Sequence, residues 1–87
     1  MTSTDILKVL GETIKKRRIE LNLSQEKFAE LCNVHRTYIS QIERGLKSVS
    51  VKILFSLAEN LNASPSELIK EVEQQLQKQK GLSQKSK

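Results

Sequence analysis

Apolar residues recur every three to four positions along most of this chain, and no stretch of useful length alternates apolar with polar residues. A spacing near 3.6 residues is typical of amphipathic α-helices, whereas alternation would indicate strands. The pattern therefore predicts an all-α fold, a compact bundle of five helices. Because the chain has only 87 residues, we expect one hydrophobic core and one domain, over residues 1–77.

Capping residues set the limits of the first two predicted helices. The first helix should be capped near Ser3 or Thr4 and run to about Glu20. Ser24 is a suitable N-cap for a second helix over residues 25–32, and Asn33, which tolerates the left-handed conformation, should end it. The predicted inward residues are Leu7, Leu10 and Ile14 in the first helix, and Phe28, Ala29 and Cys32 in the second.

Three further helices follow at short intervals. A third pattern begins after Val34 and His35 and ends at Gly45, and Ser50 can cap a fourth helix. The segment 64–67, Ser-Pro-Ser-Glu, has the form of a capping box with Pro at the first helical position, and it should start a fifth helix that ends near residue 77. In the third helix, Ile39 and Ile42 are predicted to face inward. In the fourth, the predicted inward residues are Val51, Leu54, Phe55, Ala58 and Leu61. The apolar residues of the fifth are Leu68, Ile69, Val72 and Leu76.

Charge is segregated along the chain. The net charge is +5, with four basic and one acidic residue over 36–52, one basic and four acidic over 53–77, and four lysines over 78–87. A basic central segment favours contact with a polyanion, although a solvated basic surface is an equally good explanation of charge alone. Residues 78–87 have little apolar content and are predicted to be a disordered basic tail.

Composition and motif content argue against several functional classes. One cysteine, Cys32, and one histidine, His35, cannot supply the four ligands of a structural zinc site, so we expect no metal and no cofactor. A catalytic triad through Ser40 and His35 would lack a pocket and an oxyanion hole, so we expect no enzyme. The sequence has neither a membrane-spanning run nor a signal peptide, which predicts a cytoplasmic protein with no membrane partner.

The second and third helices form the pattern of a DNA-binding unit. Two short helices joined by about three residues are typical of a helix-turn-helix, whose second helix enters the major groove. In the third helix the outward residues are polar or basic and none is acidic: they are Arg36, Thr37, Ser40, Gln41 and Arg44. A recognition helix over about residues 35–44 is therefore predicted.

The segment LNLSQEKFAELCNVHRTYISQIERG, with Gly11-x-x-Ile14-x-x-x-Arg18 before it and SVSVKILFSLAENLNASPSELI after it, resembles the phage repressor and Cro type (XRE-type) helix-turn-helix family. The resemblance covers roughly residues 7–70. HRTYIS and the short chain are also similar to the controller proteins of restriction-modification systems. The resemblance implies a sequence-specific transcriptional regulator, a restriction-modification controller or a stand-alone repressor, that binds a pseudo-palindromic site on double-stranded DNA as a homodimer.

The same resemblance assigns roles to individual positions. Base edges are expected to meet Arg36, Thr37, Ser40 and Gln41, which suits the bidentate donors and acceptors of Arg and Gln. Phosphate contacts are expected from Gln25, Tyr38, Arg44, Lys47, Ser48 and Ser50. An ion pair between Arg18 and Glu43 should tie the recognition helix to the first helix.

Dimerisation is expected through the fifth helix, because its apolar residues exceed what one short helix can bury. The interface residues would be Leu68, Ile69, Val72 and Leu76. An alternative function uses the same helix differently: the helix-turn-helix would be scaffold only, and the fifth helix would dock a protein partner, as an antitoxin docks a toxin. An acid-free outer face on the third helix favours the DNA-binding hypothesis.

Overall fold

The computed structural model describes residues 2–84, and over that range it contains five helices and no strand. The helices are α1 (Ser3–Glu20), α2 (Gln25–Cys32), α3 (Arg36–Glu43), α4 (Val51–Asn60) and α5 (Pro65–Gln84). The all-α fold and the order of the five predicted helices are confirmed. None of the helices in the described part of the chain is long and apolar enough to cross a membrane.

The five helices enclose one core. Helix α3 packs on α1 and α2, α4 packs on α2 and α5, and α5 packs back on α1. Each helix contributes buried apolar residues, so the core is shared by the whole bundle. The largest fully buried side chains are Ile14, Phe28, Ile39, Ile42, Leu57 and Leu68.

Side-chain caps fix where three of the helices begin, as the sequence predicted. The Ser24 hydroxyl accepts from the backbone N–H three residues later at 3.0 Å, and the Ser50 hydroxyl does the same at 3.1 Å. Ser64 and Glu67 form the reciprocal capping box, in which Ser64 Oγ accepts from Glu67 N at 3.1 Å and Glu67 Oε1 accepts from Ser64 N at 2.7 Å. These caps satisfy backbone donors that have no partner within the helix.

Two helix ends differ from the prediction. Helix α1 is capped by Thr2, whose hydroxyl accepts from Asp5 N at 3.1 Å, so it begins slightly earlier than expected. Helix α5 continues to residue 84, so its predicted end near residue 77 is wrong. Gln and Lys are good helix formers, and extending an existing helix requires no apolar face. Residues 85–87 of the predicted tail lie outside the described residues.

The inward face of α4 also differs from the prediction. Leu57, Ala58 and Leu61 are buried, but Val51 and Phe55 are exposed. The predicted set of inward residues omitted Leu57 and included Val51 and Phe55, so it lay too far toward the outer face of the helix. The result is an apolar outer face on α4.

Three apolar residues of α5 belong to the core of the protomer itself. Leu68, Val72 and Leu76 are buried, and only Ile69 is exposed. Leu68, Val72 and Leu76 are therefore enclosed in the protomer, and their assignment to a dimer interface is wrong; the docking of a protein partner on the fifth helix stays a prediction. These three side chains are buried because α5 packs against α1, which covers the apolar face that an isolated helix would expose.

An ion pair fastens α5 to α1. Arg17 donates from Nη2 to Glu71 Oε2 at 2.6 Å and from Nε to Glu71 Oε1 at 3.2 Å. The hydrogen bond to Glu71 raises the pKa of the Arg17 guanidinium. This bidentate geometry orients α5 along α1.

Candidate nucleic-acid interface

The turn between α2 and α3 is short and ordered by the backbone. Asn33 has φ 61° and ψ 43°, the left-handed conformation that the sequence predicted for it. The N–H of Asn33 donates to Glu30 O at 3.1 Å, and the N–H of Val34 donates to Ala29 O at 3.0 Å. His35 then occupies the N-cap position of α3 without a side-chain capping hydrogen bond. Only three residues separate the two helices.

One face of α3 is free of the core. Arg36 and Thr37 are exposed, and Ser40 and Gln41 are partly exposed, while Ile39 and Ile42 are buried on the opposite face. At about 100° per residue, the four polar positions occupy one continuous arc of the helix. The structure thus brings the four predicted base-contacting residues together on one surface.

The end of α3 and the loop after it continue this polar surface. Arg44 is the C-cap of α3, is exposed, and donates from Nε to Ser40 O at 3.4 Å. Lys47 and Ser48 are exposed in the loop. Tyr38, half-buried, directs its hydroxyl to Ser48 O at 3.5 Å.

Ser50 differs from the other predicted phosphate contacts. It is exposed, but its hydroxyl already accepts from the backbone N–H of Ile53 as the cap of α4. A serine hydroxyl can still donate its proton while it accepts another, so the cap leaves Ser50 with one donor for a phosphate oxygen.

A buried polar network holds the C-terminal end of α3. Arg18 donates from Nε to Glu43 Oε2 at 2.6 Å and from Nη2 to Glu43 Oε1 at 3.1 Å, so the predicted pair is present. Arg18 also donates from Nη1 to the carbonyl oxygen of Leu23 at 2.6 Å. Gln25 Nε2 completes the network by donating to Glu43 Oε1 at 2.9 Å. One guanidinium therefore joins α1, the loop before α2, and α3.

The network changes the expectation for Gln25. Its amide nitrogen already donates a hydrogen bond to Glu43. Sequence reasoning did not foresee this bond, because Glu43 lies 18 positions further along the chain. An amide nitrogen has two protons, and the second is left for an acceptor outside the network. Gln25 therefore combines support of Glu43 with a position in the first turn of α2, where the backbone favours an anion.

Gly11 is a second positioning residue that sequence reasoning did not identify as such. A Cβ atom added there would lie 2.3 Å from the carbonyl oxygen of Ile42 and 2.7 Å from that of Glu43. Helix α1 thus approaches the backbone of α3 at a distance that only glycine permits. The signal in the sequence was the Gly11 of the family pattern, but its spacing alone did not indicate the contact.

Cys32 and His35 lie in different environments. Cys32 is buried, with Sγ at 4.0 Å from the carbonyl oxygen of Ser56, and burial raises the pKa of its thiol. His35 is exposed at the start of α3. Within residues 2–84 there is no group of three or more His, Cys, Asp or Glu side chains placed to hold a metal ion.

Comparison with known proteins identifies the same architecture. The helix-turn-helix family HTH_3 matches residues 14–68, which include all of α2, α3 and α4. Control protein C.SmaI of Serratia marcescens is 42% identical over 65 residues, covering 75% of this chain and 77% of that protein.

Solved structures agree in fold. The restriction-modification controller protein C.AhdI of Aeromonas hydrophila superposes with a TM-score of 0.69 at 35% identity, covering 71% of this chain and 94% of that one. The clp gene regulator ClgR of Corynebacterium glutamicum superposes with a TM-score of 0.83 at 26% identity, covering 93% of this chain and 86% of that one. The chain belongs to the HTH_3 helix-turn-helix family of DNA-binding transcriptional regulators, with restriction-modification control proteins among its relatives.

Proposed function

We propose that this protein is a sequence-specific transcriptional regulator that inserts α3 into the major groove of double-stranded DNA. The observation that carries the proposal is the outward face of α3, which is polar or basic, contains no acidic side chain and follows a three-residue turn from α2. The major groove, about 12 Å wide, admits a helix with such a face. A cytoplasmic location, where the DNA is, belongs to the same proposal.

Base recognition is assigned to the exposed arc of α3. Arg36, in its first turn, can donate two hydrogen bonds to O6 and N7 of guanine. Gln41 can pair in a bidentate manner with adenine, and the methyl group of Thr37 can pack on the methyl group of thymine. Ser40 lies between them and can donate or accept.

Phosphate contacts are assigned to the rim of this arc. Arg44 and Lys47 supply positive charge, and Ser48 and Ser50 supply hydroxyl groups at the start of α4. Gln25 at the start of α2, and Tyr38 beside the loop, would contact the strands that flank the groove. These six residues would set the register of the protein on the duplex and add affinity without reading sequence.

We further propose that the protein binds as a homodimer to a pseudo-palindromic operator. One protomer presents one recognition helix, whereas two helices related by a two-fold axis read two half-sites. The similarity to C.SmaI and C.AhdI supports a controller role in a restriction-modification system, with a stand-alone repressor as the other form of the same function.

Selection from a pool of random DNA duplexes tests the proposal, because it requires no chosen operator sequence. The full chain is incubated with the pool, and bound DNA is sequenced after several rounds. We expect a two-fold symmetric consensus with half-site centres about 10 base pairs apart, or a multiple of that spacing. A pool that binds with no sequence enrichment would contradict sequence-specific recognition.

A further inference from the structure

His35 is the only histidine in the chain, and it is exposed directly before Arg36, to which the contact with guanine is assigned. It caps α3 through its backbone. Its carbonyl oxygen accepts from the N–H of Tyr38 at 3.0 Å and from the N–H of Ile39 at 3.3 Å, while its side chain makes no capping hydrogen bond. The imidazole is therefore available to a group outside the protein.

The imidazole lines an open groove between α2 and the start of α3, together with four charged side chains. Those from α2 are Glu26, Lys27 and Glu30, and the one from α3 is Arg36. Lys27 Nζ lies 3.4 Å from Glu30 Oε1, so these two charges offset each other. Glu26 and Arg36 are also of opposite sign. The charges of the groove are therefore balanced while His35 is neutral, and protonation of His35 gives the groove a positive charge.

Both walls of this groove approach DNA in the proposed complex. The start of α2 carries Gln25, assigned to a phosphate, and the start of α3 carries Arg36, assigned to a base. His35 precedes Arg36 and faces the groove toward α2, which places it nearer to the sugar-phosphate backbone than to the base edges. An imidazolium donates a charge-assisted hydrogen bond to a phosphate oxygen, which a neutral imidazole cannot match. Histidine is the side chain whose charge ordinarily changes between about pH 8 and pH 5.

We propose that His35 contacts a DNA phosphate in its protonated form, so that DNA binding takes up a proton and strengthens as the pH falls. The inference rests on the proposed function, since it requires α3 in the major groove. Its sign follows from linkage: the phosphate favours the imidazolium, so the state that binds more protons is the complex. Carboxyl groups titrate below this pH range, and Lys and Arg side chains titrate above it. Among the side chains that line the groove, His35 therefore carries the change in charge.

Fluorescence anisotropy of labelled duplexes tests the proposal with the full chain at pH 6 and pH 8, at one ionic strength, on the selected operator and on random DNA. The unsubstituted chain should bind both duplexes roughly fivefold more tightly at pH 6 for each bound protomer. The slope of log K against log salt should be steeper at pH 6 by about 0.9 per protomer. His35→Gln should bind at both pH values as the unsubstituted chain binds at pH 8. His35→Lys should bind at both as that chain binds at pH 6, because lysine is charged throughout.

Two controls assign the pH response to this position. The α-amino group of the chain also titrates between pH 6 and pH 8, and His35→Gln retains that group. Gln77→His in the His35→Gln background adds an exposed histidine on α5, which packs on α1 and α4, and it should not restore the response. Melting curves at both pH values check that each variant is folded.

Three results would overturn the proposal. The first is an affinity that is equal at pH 6 and pH 8, or a pH response that survives His35→Gln. The second is a His35→Lys variant that binds no more tightly than His35→Gln, since charge would then not be the cause. The third is a response on the operator alone, which would assign His35 to a base. Failure of the proposed function is a separate result: the duplex pool is not enriched, while the pH response can still be measured on random DNA.

Discussion

The network around Glu43 gives a prediction in which single and double substitutions differ sharply. The side chains of Arg18 and Glu43 are 9% and 2% exposed, and they share two hydrogen bonds, the shorter at 2.6 Å. Removing one partner leaves the other charge buried and uncompensated, which costs about 3–5 kcal/mol. Arg18→Met and Glu43→Leu should each lower the free energy of unfolding by that amount.

The double variant should be far more stable than the sum of the singles implies. With both charges gone, no buried ion is left, and the apolar side chains fill a similar volume. What remains is the Leu23 carbonyl oxygen without its Arg18 donor and the Gln25 amide without Glu43, and each unsatisfied group costs about 1–3 kcal/mol. We expect the double variant to lie near or above the more stable single variant.

Urea unfolding followed by circular dichroism supplies the four free energies of this double-mutant cycle. Small domains have about 5–15 kcal/mol of stability in total, so singles that cost 3–5 kcal/mol remain measurable. Single effects that add within about 0.5 kcal/mol in the double variant would mean that the two side chains do not interact. That result would refute the network as the link between α1 and α3.

Three further predictions concern single residues. Gly11→Ala should destabilise the protein by about 1–3 kcal/mol in urea unfolding, despite the better helix propensity of Ala, because its methyl group meets the Ile42 carbonyl oxygen; a gain in stability would contradict this close contact. Hydrogen bonds from Ser64 lower the pKa of Glu67, so the carboxylate stabilises the fold above about pH 4.3 and loses that contribution as the pH falls through its folded value. Melting temperatures of wild type and Glu67→Gln should therefore converge between pH 6 and pH 3, and a constant difference would count against the cap. Cys32, buried and with a raised pKa, should react with iodoacetamide only as urea unfolds the chain, so rapid labelling of the folded protein would be inconsistent with its burial.

Local signals in the sequence were sufficient for the helices and for the candidate recognition surface. Serine caps at 24, 50 and 64 fixed three helix starts because a cap depends on residues within one turn of each other. The outer face of α3 could be predicted because Ile39 and Ile42 define its inner face by spacing alone. Arg18 and Glu43, 25 positions apart, were paired only through the family resemblance, since nothing in the local pattern joins them.

The pattern of apolar residues could not predict how the helices pack against one another. That pattern could not distinguish buried from exposed apolar positions, so Phe55 was placed inside and Leu68 at an interface, whereas the structure exposes Phe55 and buries Leu68. The contacts of Gly11 and Gln25 with the end of α3 were missed for a related reason. Their roles depend on how α1 and α2 meet the end of α3, and that distance is not encoded at any single position.

The central claim, that α3 reads base sequence, is tested most directly by comparing Arg36→Ala with Lys47→Ala on the selected operator and on random DNA. Both side chains are exposed, so both variants should fold, which thermal melts check. Arg36→Ala should cost about 1–3 kcal/mol on the operator and much less on random DNA, with relaxed specificity at one position per half-site. Lys47→Ala should weaken both by similar factors and reduce the slope of log K against log salt by about 0.9 for each contacted phosphate. If Arg36→Ala weakens operator and random DNA equally, Arg36 binds phosphate, and the assignment of base recognition to the exposed arc of α3 is wrong.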